Sequence, residues 1–170
     1  MAEDSRIHHR RTIRLAARDY SADGAYFVTT CTINRVSLFG EIVDGHAHLN
    51  AVGKVVADTW RWLALQYSYV TLDEWCVMPD HLHGILVLGP RTAPPVDMGT
   101  TDGDIVTARR KPFGRLIGAF KTVSTKHINV LRNTPGARVW QRDFWEHVVR
   151  DDADLARIRM YIRENAARLA

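Results

Sequence analysis

Hydrophobic and polar positions along the chain alternate between two periods. Residues 26–35 (YFVTTCTINR) are rich in β-branched and aromatic side chains and predict a strand. Residues 39–50 hold Asp44-Gly45 between two short extended pieces, a hairpin signal. Val52, Val55, Val56, Thr59, Trp60 and Leu63 then recur at helical spacing across 51–66. Residues 69–78 and 81–88 read as two consecutive strands joined at Pro79-Asp80. A helix is expected from about Pro112, with Phe113, Leu116, Ile117, Phe120, His127, Ile128 and Leu131 on one face. After a short extended piece, Asp151 caps a last helix whose stripe is Leu155, Ile158 and Ile162, with Asp154 in its first turn. Mixed elements with two consecutive central strands predict an α+β fold, a ferredoxin-like antiparallel sheet with helices on one face.

At 170 residues the chain fits one domain and can bury a core without staples. Residues 1–20 read as a basic N-terminal arm and 21–170 as the domain proper. Within it, 90–104 is proline-rich and aperiodic and predicts a mobile loop. No apolar run reaches the ~18–20 residues of a membrane span, and the N-terminus lacks the apolar core of a secretory signal. Cys31 and Cys76 form no C-x-x-C pair and suit a reducing compartment. The expected location is therefore cytoplasmic, with no membrane partner.

Charge changes the picture. The net charge is only +4, but ten basic residues oppose two acidic ones between 105 and 150. Arg115, Lys121 and Lys126 fall off the apolar face of their helix, so the spacing predicts an outward basic stripe. Such segregation suits a polyanion, whose condensed counterions the stripe displaces. A merely solvated helix face fits the charges equally well.

Two groups of residues could carry chemistry. On a strand, i and i+2 share a face, so His81 and His83 present two imidazoles together, and Gly84 beside them is expected to leave room for a phosphate. Neutral imidazoles bind divalent first-row metals, although a bare H-x-H is more often a packed or surface pair. His46 and His48 repeat the pattern in the hairpin with no chemistry around them and read as an exposed edge. On the last helix Tyr161 and Asn165 are i, i+4 and stand one above the other. His147 reads either as an auxiliary proton or phosphate group or as a surface histidine at a helix start.

The stretch MPDHLHGILVL, taken with VWQRDFWEHVVRDDADLARIRMYIREN, resembles the single-tyrosine HUH transposases of bacterial insertion sequences, in their REP-associated tyrosine transposase branch. The resemblance runs from YFVTTCTINR through LFGEIVDG to the last helix, with the motifs in the family's order. It implies a ferredoxin-like fold, often dimeric, that cleaves and rejoins single-stranded DNA through a 5′-phosphotyrosine. By position, His81 and His83 match the HUH histidines, Tyr161 the nucleophile, and Asn165 a residue that completes a Mg²⁺ or Mn²⁺ site. The family's Asn-Pro reads Asn165-Ala166 here. The expected partners are single-stranded or hairpin DNA, contacted by Arg115, Lys121, Lys126, Arg142 and Arg150, and a second copy of the chain. A non-catalytic nucleic-acid-binding regulator on the same scaffold is the alternative, with Phe144 and Trp145 as stacking aromatics. A small metal-dependent hydrolase is disfavoured for want of further ligands.

Overall fold

The structure is a computed structural model that describes residues 22–90 and 110–165. The basic arm and the loop expected at 90–104, save Pro90, lie outside the described residues. The strand β1 (Gly24–Cys31) is followed by a short 3-10 turn (Ile33–Arg35) and the hairpin β2 (Gly40–Val43) and β3 (His46–Leu49). Then come α1 (Ala51–Gln66), β4 (Val70–Met78), β5 (His81–Leu88), α2 (Phe113–Arg132), β6 (Trp145–Val148) and α3 (Asp152–Arg163). No helix among the described residues is long and apolar enough to cross a membrane.

Local chemistry explains most boundaries. Asn50 caps α1 by accepting the N–H groups of Val52 and Gly53. Asp44 and Gly45 adopt the positive φ that their turn requires. Asp151 caps α3 by accepting the Asp154 N–H at 2.8 Å. The first strand stops at Cys31, short of Arg35, because Asn34 and Arg35 both take positive φ.

Four strands pair antiparallel in the order β4-β5-β1-β6, which is the expected α+β sheet. The short extended piece before the last helix supplies its fourth strand. Alternation sorts the side chains onto two faces. Tyr26, Val28, Leu82 and Leu86 face α1 and α2 and join one core with Trp60, Leu63, Phe113, Leu116 and Phe120. Tyr26 stacks on Phe113 with centroids 4.9 Å apart, and Phe120 meets Trp60 edge-on at 5.2 Å. Each such ring, fully buried, is worth about 1.5–3 kcal/mol. The third helix is additional to this layer: Ile158 and Ile162 of α3 pack on Phe27 and Ile85, on the opposite face.

Three expectations about side chains are corrected. His127 and Leu131 are exposed, and Ser124 takes the buried position between Phe120 and Ile128. There its hydroxyl donates to the Phe120 carbonyl and accepts the Trp140 indole N–H, so a polar residue fits the apolar face. Lys121 is not part of an outward stripe. Its ammonium donates to the carbonyls of Gln141, Asp143 and, at 3.4 Å, Arg142, and it sits over the Phe144 ring. Gly84 leaves no room for a phosphate, because it points to the helical side, where a Cβ would run into the Trp60 ring.

Candidate functional site

On the face that α3 crosses, the register sets His81 opposite Cys31, and sets Thr29 between His83 and Trp145. Both histidines are almost fully buried. Asp80 accepts the Nδ1–H of His81 at 2.5 Å, which orients the ring so that Nε2 faces His83. The Nδ1 of His83 meets the Thr29 hydroxyl at 2.8 Å. Held in this way, the two Nε2 atoms converge to 3.0 Å. Burial first, then the neighbouring His81, push the His83 imidazole down to about 3, so its ring is neutral. Burial likewise raises the Cys76 thiol, paired opposite His83, to about 11.

The last helix brings Tyr161 to the same place, and Asn165 lines the same cleft from the turn beyond its end at Arg163, not from one helical face as expected. Tyr161 directs its hydroxyl to within 3.5 Å of His83 Nε2, with the rings 5.2 Å apart at 68°. The Oδ1 atom of Asn165 is buried without a hydrogen-bond partner among the described residues. A buried amide oxygen left unpaired costs about 1–3 kcal/mol, so such an atom asks for a ligand. Two imidazole nitrogens and one amide oxygen form a donor set that fits a divalent cation. A 3.0 Å separation is also that of neighbouring corners of an octahedron whose ligands lie about 2.1 Å from its centre. Among the described residues no cluster of three His, Cys, Asp or Glu side chains could hold an ion, and here the third donor is an amide.

All four residues line one open cleft of about 1050 Å³, together with Phe27, Arg35, Trp145, His147, Arg157 and Met160. Tyr161 is 36% exposed there, so the phenol is accessible while the histidines are not. His147 lies on β6 and not at a helix start. Its Nε2–H donates to Asp154 Oδ2 at 2.7 Å, tying the edge strand to α3. That hydrogen bond first, and the Arg157 guanidinium after it, hold the Asp154 carboxyl down at about 2. His46 and His48 are exposed in the hairpin and do not line the cleft.

The structure does not bring the predicted basic residues to the cleft. Arg115 and Lys126 are exposed on α2, which covers the other face of the sheet. Arg142 and Arg150 are exposed on either side of β6. The cations that do line the cleft are Arg35 and Arg157, which the linear charge pattern does not single out. Arg35 reaches Asp80 at 2.9 Å, so one carboxylate holds both this guanidinium and His81. The α3 helix itself is fastened by Arg159 on Asp73 and Arg163 on Glu74, where β4 bulges between Leu72 and Trp75. Acidic residues at a bulge leave no periodic signal, so pattern reading passes over them.

Comparison with known proteins agrees with this fold. No family model matches the chain. A solved REP-associated tyrosine transposase, bound to a REP hairpin, shares the fold with a TM-score of 0.55 at 19% identity, over 90% of this chain and 73% of that one. An uncharacterised protein of Haemophilus influenzae is 34% identical over 164 residues, covering 94% of this chain and 89% of the relative. A second H. influenzae protein, described as a REP-associated tyrosine transposase, is 28% identical over 87% of this chain and 73% of its own length. The chain resembles REP-associated tyrosine transposases in sequence and in fold. Within this scaffold, the tyrosine helix and the histidine strand share one cleft although 78 residues separate Tyr161 from His83.

Proposed function

We propose that this protein is a transposase that cleaves and rejoins single-stranded DNA, with Tyr161 as nucleophile and a divalent cation held by His81, His83 and Asn165. The observation that carries the reading is the convergence of an accessible phenol, two imidazole Nε2 atoms and an orphaned amide oxygen in one cleft. A bound Mg²⁺ or Mn²⁺ would supply Lewis-acid polarisation of the scissile phosphate and stabilise charge on the leaving oxygen. Tyr161 Oη attacks phosphorus, and the P–O3′ bond breaks as the Oη–P bond forms. The phenol proton passes to water in the open cleft, and the departing 3′-oxygen takes one from water. The strand then carries a free 3′-hydroxyl, and its 5′-phosphate is esterified to Tyr161. A 3′-hydroxyl attacking that ester reverses the step and rejoins a strand.

Arg35 and Arg157 flank the path as phosphate contacts, and Asp80 and Thr29 hold the histidines in place. Single-stranded or hairpin DNA is the partner that an open cleft with cationic walls and an exposed tryptophan suits. A homodimer is proposed with it, since β4 and β6 are the edge strands of the four-stranded sheet; sedimentation at micromolar concentration decides between one chain and two. The activity is tested by incubating a labelled single-stranded oligonucleotide with Mn²⁺. A shorter labelled product and a covalent protein–DNA band, both lost with chelator, support the reading, and binding without either band contradicts it.

A further inference from the structure

The cleft contains one large aromatic side chain that the cleavage reading leaves unused. Trp145 is 52% exposed, whereas Trp60 and Trp140 are buried in the core. A half-exposed indole on a short edge strand forgoes part of the burial that its apolar rings would gain. Its plane is nevertheless fixed. The His147 ring lies parallel to it, at 5° and 6.0 Å, and the Phe27 edge meets it at 5.4 Å and 73°. His147 is itself held by Asp154, which accepts its Nε2–H and the backbone N–H of Arg150. Trp145 therefore stands in a fixed orientation, supported from two sides and open to the cleft. It also shares a cross-strand row with Thr29 and His83, two strands from the histidine. Strands about 4.8 Å apart set this separation at roughly 10 Å.

We infer that Trp145 is a stacking platform for an unpaired nucleobase of the strand that Tyr161 attacks, close to the scissile phosphate. This rests on the cleavage reading for its place in the reaction, but its chemistry stands on the cleft alone. A π-face of this kind accepts any base, so the platform positions the strand without reading its sequence. The cations in the same cleft meet the phosphates and leave the base to the indole. Trp145 is thus a positioning residue, and its function is to hold the backbone in register with Tyr161.

The experiment compares the full-length protein with Trp145→Ala and Trp145→Tyr on two probes, a 20-nucleotide oligothymidylate and an abasic strand of equal length. Both probes present the same phosphates, and only one presents bases. Trp145→Ala should weaken binding to oligothymidylate at least about five-fold. It should leave binding to the abasic strand and the salt dependence on either probe unchanged, and Trp145→Tyr should restore most of the loss. Equal affinity of Trp145→Ala and the parent for oligothymidylate would overturn the proposal, as would an equal loss on both probes. Because these are binding measurements, failure of the cleavage reading shows separately, as absence of a covalent adduct with the parent protein.

Discussion

The Tyr161 hydroxyl stands 3.5 Å from the Nε2 of His83, and that nitrogen stands 3.0 Å from the Nε2 of His81. Neither distance follows from helix or strand geometry alone. The first depends on α3 lying across the face of the sheet that α1 and α2 do not cover, and the second on Asp80 and Thr29, which hold the two rings. That helix is held by the small apolar cluster of Ile158, Ile162, Phe27 and Ile85 and by two ion pairs to β4.

Metal affinity is expected to follow the cleft and not the H-x-H pattern. His81→Ala, His83→Ala and Asn165→Ala should each abolish or strongly reduce Mn²⁺ binding in calorimetry, and His46→Ala and His48→Ala should leave it intact. Asp80→Asn, which weakens the hold on His81 Nδ1, should lower affinity by about 10- to 100-fold.

The salt dependence of binding to a short single strand should be set by Arg35 and Arg157. Replacing both with Ala should flatten the slope by up to about 1.4, at ~0.7 per phosphate contact. Arg115→Ala with Lys126→Ala should leave it unchanged, because α2 lies across the sheet from the cleft. Lys121→Met should act on stability and not on the slope. It leaves the carbonyls of Gln141 and Asp143 without their donor and should cost about 1–3 kcal/mol in chemical denaturation.

A pH dependence follows from the tie between β6 and α3. The Asp154 carboxyl titrates at about 2 in the folded chain, below its ordinary value of 3.8, chiefly through His147. The unfolded chain therefore binds the proton more readily, and the tie stabilises the fold fully above about pH 4. That stability is lost as pH falls from about 4 to about 2. In thermal melts the gap between parent and His147→Ala should be present above about pH 4 and close over that acid range. A gap that persists unchanged to about pH 2 would remove the His147–Asp154 hydrogen bond from the account.

Much of this architecture was legible in the chain. Helix α1 falls on the predicted 51–66, Asp44-Gly45 forms its turn, and Asp151 caps its helix, because each signal is local. The pairing of His81 with His83 was likewise written in strand alternation, whereas helical period does not account for Tyr161 with Asn165, because the helix ends at Arg163 and Asn165 reaches the cleft from the turn that follows. What escaped was relational. Lys121 reads as outward on a helical wheel, yet the segment at 141–143 folds over it and takes its hydrogens. Gly84 reads as space beside a histidine, yet alternation sends it to the opposite face, against Trp60. Arg35 enters the cleft only because two successive residues take positive φ, which a residue-by-residue scan does not foresee.

The central claim is that Tyr161 becomes the covalent link to DNA. After incubation of the full-length protein with single-stranded oligonucleotide and Mn²⁺, trypsin should release residues 160–163 (MYIR), and mass spectrometry reads what that peptide carries. The account predicts a 5′-phosphorylated nucleotide on Tyr161, absent from Tyr161→Phe, whose fold and DNA affinity persist because only the hydroxyl is gone. A nucleotide on another residue, or an adduct that survives Tyr161→Phe, would contradict it.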